Sequence, residues 1–86
     1  MKVVIAYISE SSVWLRDSEG RFNHEILGID EREWRENYKR KPAKVIQKLY
    51  EMGYKLEGGG CGAYIPPWAK SLEREQFNCL LVFVKS

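Results

Sequence analysis

Two segments of the chain, residues 3–8 and 77–84, carry apolar side chains at nearly every position. Successive side chains of an extended strand point to opposite faces, so a strand built from either segment is apolar on both faces. Strands of this kind are typical of the interior of a sheet, where other layers cover them. The two segments therefore predict two central strands, over residues 2–9 and 76–85.

The chain has 86 residues, which is enough for one domain and too few for two. Apolar residues make up 44% and charged residues 30%, a mixture typical of a globular protein. The formal net charge of +2 is too small to indicate a nucleic-acid or membrane partner by itself. No apolar run approaches the ~20 residues of a membrane span, and the first residues lack a secretion-signal pattern. We therefore expect a single domain over residues 1–86, located in the cytoplasm, with no membrane partner.

The residues after the first strand predict a β-hairpin. Residues 13–16 predict a second strand, and residues 17–20, which end in Gly20, predict a turn. Phe22, His24 and Ile26 then alternate with their neighbours, which predicts a third strand over residues 21–27. Strand, turn and strand are the most local pairing that these residues allow.

The middle of the chain predicts two helices. Asp30 and Glu33 have the spacing of a capping box, which predicts a short, charged surface helix over residues 31–38. Pro42 suits the first turn of a second helix over residues 43–52, and Gly53 stands where a C-cap glycine is expected. The second helix is the main amphipathic one, with five large side chains at helical spacing, namely Val45, Ile46, Leu49, Tyr50 and Met52.

The rest of the chain completes an α+β fold. A short strand over residues 54–57 is followed by a glycine run, interpreted as a loop or bulge, and by a short strand over residues 63–65 that Pro66 ends. With the last strand, this predicts a mainly antiparallel sheet of four to five strands. The order along the chain is β-β-β-α-β-β, with one main amphipathic helix packed on one face.

One helix cannot cover both faces of a sheet that contains two doubly apolar strands. Self-association is the simplest way to cover the remaining apolar surface of so short a chain. The leading interpretation is therefore a small, non-catalytic interaction domain that acts as a homodimer. We expect Trp68, which follows two prolines, to pack as a rigid lid.

The sequence assigns no catalytic residue, metal site or cofactor. Its two cysteines, Cys61 and Cys79, form no Cys-x-x-Cys pair, and its only histidine is His24. A thiol nucleophile at Cys61 would need His24 as its base. Because His24 is predicted on a strand beside apolar residues, a structural role is favoured for it.

A basic and aromatic segment offers an alternative function, the binding of RNA or single-stranded DNA. Basic side chains neutralise phosphates, and aromatic rings stack on unpaired bases. In the competing interpretation the two aromatic residues anchor a helix to the core and the charges are solvated. The candidate nucleic-acid-binding residues are Trp34, Tyr38, Lys39, Arg40, Lys41 and Lys44.

The glycine run offers a second alternative, a site for an anion or a small ligand. A backbone without side chains can point several N–H groups at a ligand. The run matches neither the phosphate-loop pattern nor the dinucleotide-binding pattern. The candidate ligand-binding residues are Gly58, Gly59, Gly60, Cys61 and Gly62.

Residues 45–62 resemble part of the HicA-type RNA-cleaving toxins. The shared features are an amphipathic helix, the Gly53–Tyr54 pair at its end, and a strand that leads into glycines. In that family the glycine-containing turn presents a catalytic histidine, whereas this chain has Cys61, Gly62 and Ala63 there. The resemblance therefore implies no catalytic residue in this chain.

Overall fold

A computed structural model describes residues 1–9, 12–64 and 77–86 of the chain. Within these residues the strands form one antiparallel sheet in the order β2-β1-β4-β3. The sheet and several helices confirm the α+β class. The elements in chain order are β1 (Lys2–Ile8), β2 (Val13–Asp17), α1 (His24–Leu27), α2 (Glu31–Glu33), a π-helical turn (Trp34–Tyr38), α3 (Pro42–Glu51), β3 (Lys55–Tyr64) and β4 (Phe77–Lys85).

The two doubly apolar strands, β1 and β4, are the central strands of this sheet, as predicted. Ile5 of β1 lies opposite Arg16 of β2 on one side and Val82 of β4 on the other. One face of the sheet contributes the fully buried side chains of Val4 and Phe83 to the core. The core consists of Val4, Ala6, Val13, Leu15, Ile26, Leu27, Trp34, Val45, Leu49, Tyr54 and Phe83.

Helix α3 confirms the predicted amphipathic helix. Pro42 occupies its first turn, where a missing N–H removes no intrahelical hydrogen bond. Val45 and Leu49, one turn apart, are fully buried in the core. Gly53 follows the helix with a φ of 95°, which glycine adopts without a steric penalty. Among the described residues, no helix combines the length and apolarity needed to cross a membrane.

The predicted third strand is wrong, because residues 24–27 form the helix α1. Phe22 makes only an isolated bridge with Arg16, and the chain then turns away from the hairpin. Ile26 and Leu27 are consecutive and both buried in the core. A strand would send two consecutive side chains to opposite faces, whereas a helical turn brings both to one side.

At the glycine run the loop alternative is wrong, because the run lies within β3. The bulge alternative agrees with the register irregularities between Leu56 and Gly58 and between Cys61 and Tyr64. Gly59 pairs with Leu81 of β4, and a Cβ atom added at Gly59 would overlap the carbonyl oxygen of Leu80. The added Cβ would also lie 2.9 Å from Leu81 Cα. Glycine is therefore required there by close strand packing. The remaining residues of the predicted short strand and lid, Ile65, Pro66, Pro67 and Trp68, lie outside the described residues.

The predicted short helix begins at the expected cap. Asp30 Oδ1 accepts a hydrogen bond of 2.7 Å from the backbone N–H of Glu33, as in a capping box. The helix then widens into a π-helical turn, in which the Lys39 N–H donates to the Trp34 carbonyl at 2.8 Å. Trp34 lies in the core, and the Tyr38 ring is nearly parallel to it at 6.5 Å. These two rings anchor the helical segment, as the competing interpretation predicted.

Candidate binding cleft

A cleft of about 230 Å³ separates the end of the β2 hairpin from the helical segment that contains the π-helical turn. One wall comes from β2 and the residues that follow its turn, and the other comes from the helical segment. The cleft is lined by Trp14, Phe22, Asn23, His24, Glu31, Trp34, Arg35 and Lys39.

A backbone hydrogen bond brings the two walls together. The Val13 N–H donates to the Lys39 carbonyl at 3.0 Å, which ties the start of β2 to the end of the π-helical turn. As a result, Lys39 Nζ lies 5.4 Å from the centroid of the Trp14 ring. This distance is within the range of a cation–π interaction. The cleft therefore has an ammonium group held against an aromatic ring on one side.

The wall that contains Trp14 also presents a second ring with its own cation. Phe22 is 46% exposed, and the Arg16 guanidinium carbon lies 5.3 Å from its ring centroid. Asn23 fixes the backbone at this point, because its Oδ1 accepts the Leu15 N–H at 2.9 Å. The Asn23 N–H also donates to the Leu15 carbonyl at 3.1 Å. These two bonds hold Asn23 at a φ of 53°, which non-glycine residues rarely adopt.

A row of basic side chains leads away from the cleft. Lys39 is half-buried, whereas Arg40, Lys41 and Lys44 are exposed. Lys44 Nζ lies 5.2 Å from the centroid of the Tyr38 ring, so a third cation–ring contact continues the row. We call Lys39, Arg40, Lys41 and Lys44 the basic row.

The cleft lining contains one acidic residue, Glu31. Its carboxylate lies 3.6 Å from the Arg35 guanidinium, and both side chains are more than half exposed. An exposed ion pair of this kind is weak, so Arg35 can exchange Glu31 for another anion at little cost. The local charge of the cleft and the basic row together is positive.

The structure places the sequence-predicted nucleic-acid residues in two groups. Arg40, Lys41 and Lys44 of the basic row are exposed and Lys39 is half-buried, with Tyr38 beside the row. Trp34 is only 3% exposed, so its ring lies in the core and not on the accessible surface. The accessible rings of the cleft belong to Trp14 and Phe22, which sequence reasoning had treated only as strand residues. The sequence signal that could have placed Phe22 beside β2 is the turn at residues 17–20, because this turn pairs Arg16 with Phe22.

The glycine-run residues lie far from this cleft. Gly58, Gly59, Gly60, Cys61 and Gly62 belong to β3, at the opposite edge of the sheet from β2. The backbone of residues 58–61 pairs with β4, and Gly62 lies at the register irregularity that follows. Cys61 lies in β3, whereas His24 belongs to helix α1, which follows β2 in the chain. The described residues contain no group of three or more His, Cys, Asp or Glu that could hold a metal ion.

A separate charged cluster stabilises the hairpin turn. Asp17 Oδ1 accepts the Arg21 N–H at 2.7 Å, and Asp17 Oδ2 accepts Arg21 Nε at 2.9 Å. The side-chain hydrogen bond from Asp17 raises the pKa of Arg21. Burial raises the pKa of Tyr54, and the negative charge of Asp17 adds to this effect. These bonds fix the turn that positions Phe22 at the cleft.

No protein-family model matches the chain, and no curated protein or solved structure shows significant similarity to it.

Proposed function

We propose that the protein binds single-stranded nucleic acid at the cleft and the basic row. The observation that carries this proposal is the exposed Phe22 ring in a cleft that continues into four basic side chains. An unpaired base stacks on Phe22, and the phosphates that flank it contact Lys39 and its neighbours. Stacking and phosphate neutralisation are the two interactions on which sequence-tolerant single-strand binding depends.

The shape of the site favours a single strand over a duplex. A base within a duplex is already stacked on its neighbours and offers no free face to an aromatic side chain. Direct reading of a duplex requires an element that enters the major groove. Among the described residues, none that line the cleft belong to the longest helix, α3. The cleft, at about 230 Å³, is suited to a planar group the size of one base.

The distribution of charge supports the proposal better than the net charge does. The whole chain carries only +2, but no acidic residue lies between Glu36 and Glu51. Five basic residues fall in that interval, and the basic row supplies four of them. A local patch of this kind attracts phosphates even when the protein as a whole is nearly neutral.

The first experiment measures the fluorescence anisotropy of labelled oligo-U and oligo-dT with the unmodified protein. Contact with three phosphates predicts roughly a 20-fold loss of affinity between about 50 mM and about 200 mM salt, from a slope near −0.7 per phosphate. Comparison of the two oligonucleotides shows whether the 2′-hydroxyl contributes. Failure to bind either one at the lower salt concentration would contradict the proposal.

Charge reversal tests the basic row. We expect the Arg40→Glu/Lys41→Glu variant to bind at least tenfold more weakly, because two phosphate contacts become repulsive. The matched control is Lys2→Glu/Lys85→Glu, which makes the same change in net charge outside the cleft. Equal losses in the two variants would mean that net charge, and not this surface, determines binding.

Substitution of Phe22 tests the stacking contact. Phe22→Leu keeps an apolar side chain but removes the ring, and stacking on one base is worth about 1–3 kcal/mol. We therefore expect an affinity loss of about 5- to 150-fold. Phe22→Tyr keeps the aromatic face and should bind nearly as well as the unmodified protein. A Phe22→Leu protein with unchanged affinity would exclude base stacking at this position.

A further inference from the structure

Strand β3 lies at one edge of the sheet and is ten residues long. Within the described ranges it pairs with β4 on one side and with no strand on the other. Residues 55–60 are all exposed. At about 3.3 Å per residue, these six residues present roughly 20 Å of exposed backbone at the edge.

The middle of this edge lacks the features that normally prevent strand addition. Natural edge strands are usually short, or carry charges, prolines or strong bulges. β3 has two charged side chains near its start, Lys55 and Glu57, and its pairing with β4 has two register irregularities, between Leu56 and Gly58 and between Cys61 and Tyr64. The stretch between these irregularities, residues 58–61, is regularly paired with β4 and contains no charged residue or proline. Residues 58–60 are glycines, so no side chain there shields the backbone from an approaching strand.

The glycine run also restricts the kind of strand that can bind. A foreign peptide that adds to a sheet edge gains affinity from its backbone, but it is selected through pockets for its side chains. Three consecutive glycines, Gly58 to Gly60, provide no side chains from which such pockets could be built. A partner strand that itself consists of glycines needs no side-chain pockets, and its backbone can approach the backbone of β3 most closely.

We propose that a second copy of this chain pairs with the first through β3, antiparallel and across a two-fold axis. Such a contact is isologous, because the same strand supplies both sides of the interface. Lys55 and Glu57 carry opposite charges, so two copies of the exposed edge meet without net repulsion. The product is a continuous eight-stranded sheet with the order β2-β1-β4-β3-β3-β4-β1-β2.

The paired edge is distinct from the nucleic-acid site. The cleft borders β2, and β2 and β3 are the opposite edges of the four-stranded sheet. Pairing through β3 therefore leaves both clefts of the dimer at its outer ends. Because the two surfaces are separate, an experiment can contradict the dimer proposal without contradicting the nucleic-acid proposal, and the reverse.

Sedimentation equilibrium on the full chain tests the pairing. We expect a mass of twice the 10.1 kDa chain at micromolar concentration. Gly58→Lys should shift the mass to that of one chain, because it places a like charge on both copies at the edge. Gly58→Ala is the matched control and should remain dimeric. A Cβ atom at Gly58 meets no atom within 4 Å, so both variants are expected to fold.

Hydrogen exchange identifies the surface that associates. We expect amide exchange in residues 55–60 to slow as protein concentration rises, because the outward N–H groups become hydrogen-bonded in the dimer. Exchange in β2 should stay constant and serves as the internal control. A mass of one chain at all concentrations would overturn the proposal. A dimer that persists in Gly58→Lys, with concentration-independent exchange in residues 55–60, would overturn it as well.

Discussion

Asn23 decides where the hairpin ends. Its side chain and its N–H both bond to Leu15, eight residues earlier, and these bonds hold a positive φ that ends the strand pairing. The alternation of apolar residues around Asn23 predicted a strand, because the sequence pattern contains no sign of this distant partner. Asp30 was predicted correctly as a cap, since its hydrogen bond reaches only three residues along the chain. Single-residue roles could thus be predicted where the partner is local.

The titration of the Tyr54 hydroxyl provides a pH-dependent test of how a single residue contributes to stability. Burial raises the pKa of its hydroxyl above the ordinary value of 10.0, and the nearby Asp17 carboxylate raises it further. Between the ordinary and the raised pKa, the folded state keeps a proton that the unfolded state releases. This contribution to stability is fully present below pH 10 and is lost as the pH rises through the folded pKa.

The measurement compares the free energy of unfolding of the unmodified protein with that of Tyr54→Phe, from pH 8 to pH 11. We expect the difference between the two proteins to be constant at lower pH. Above about pH 10 the free energy of unfolding of the unmodified protein should fall faster than that of Tyr54→Phe. Parallel curves over the whole range would show that Tyr54 titrates normally in the folded protein.

At the scale of elements, the predictions depended on how specific each local pattern is. Helical spacing fits one structure, whereas a glycine run and a short alternation each fit more than one. Helix α3 was predicted correctly because its buried side chains recur at helical spacing within one short segment. The loop alternative for the glycine run failed because glycine is typical of loops, whereas Gly59 is required in β3 by the close approach of the β4 backbone. Residues 24–27 were misinterpreted because alternation over a few residues does not distinguish a strand from one helical turn.

Two neighbouring glycines of β3 test this explanation. Gly59→Ala should destabilise the protein and disturb the pairing of β3 with β4, because its Cβ would overlap the Leu80 carbonyl oxygen. Its φ of 151° adds strain for any residue with a side chain. Gly58→Ala places the same methyl group in open space and should change stability by no more than about 0.5 kcal/mol. Urea denaturation of the two variants measures the contrast, and equal midpoints would show that β4 can move away from Gly59.

At the scale of the whole molecule, the doubly apolar strands β1 and β4 were predicted as the centre of the sheet, and they are its two central strands. The cleft could not be predicted in the same way. Its lining comes from residues 14, 22–24, 31, 34–35 and 39, which are brought together by the Val13–Lys39 hydrogen bond. Long-range contacts of this kind leave no periodic signal in the sequence.

The shared core predicts that the described elements unfold together. Leu49 is fully buried in the cluster that also contains Val4 of β1 and Phe83 of β4. Leu49→Ala leaves a cavity there and should lower the free energy of unfolding by about 2–5 kcal/mol. A domain of 86 residues has a total stability of roughly 4–13 kcal/mol, so this loss is a large share of it.

The matched control is Gln47→Ala, an exposed position on the same helix, which should change stability by less than about 0.5 kcal/mol. Urea denaturation is followed by tryptophan fluorescence, to which the buried Trp34 contributes, and by far-ultraviolet circular dichroism, which reports on the helices and the sheet. Because one core joins α3 to both central strands, Leu49→Ala should lower both midpoints by the same amount. A lowered dichroism midpoint with an unchanged fluorescence midpoint would mean that α3 melts independently of the core around Trp34. The cleft would then be built on a unit that does not depend on α3.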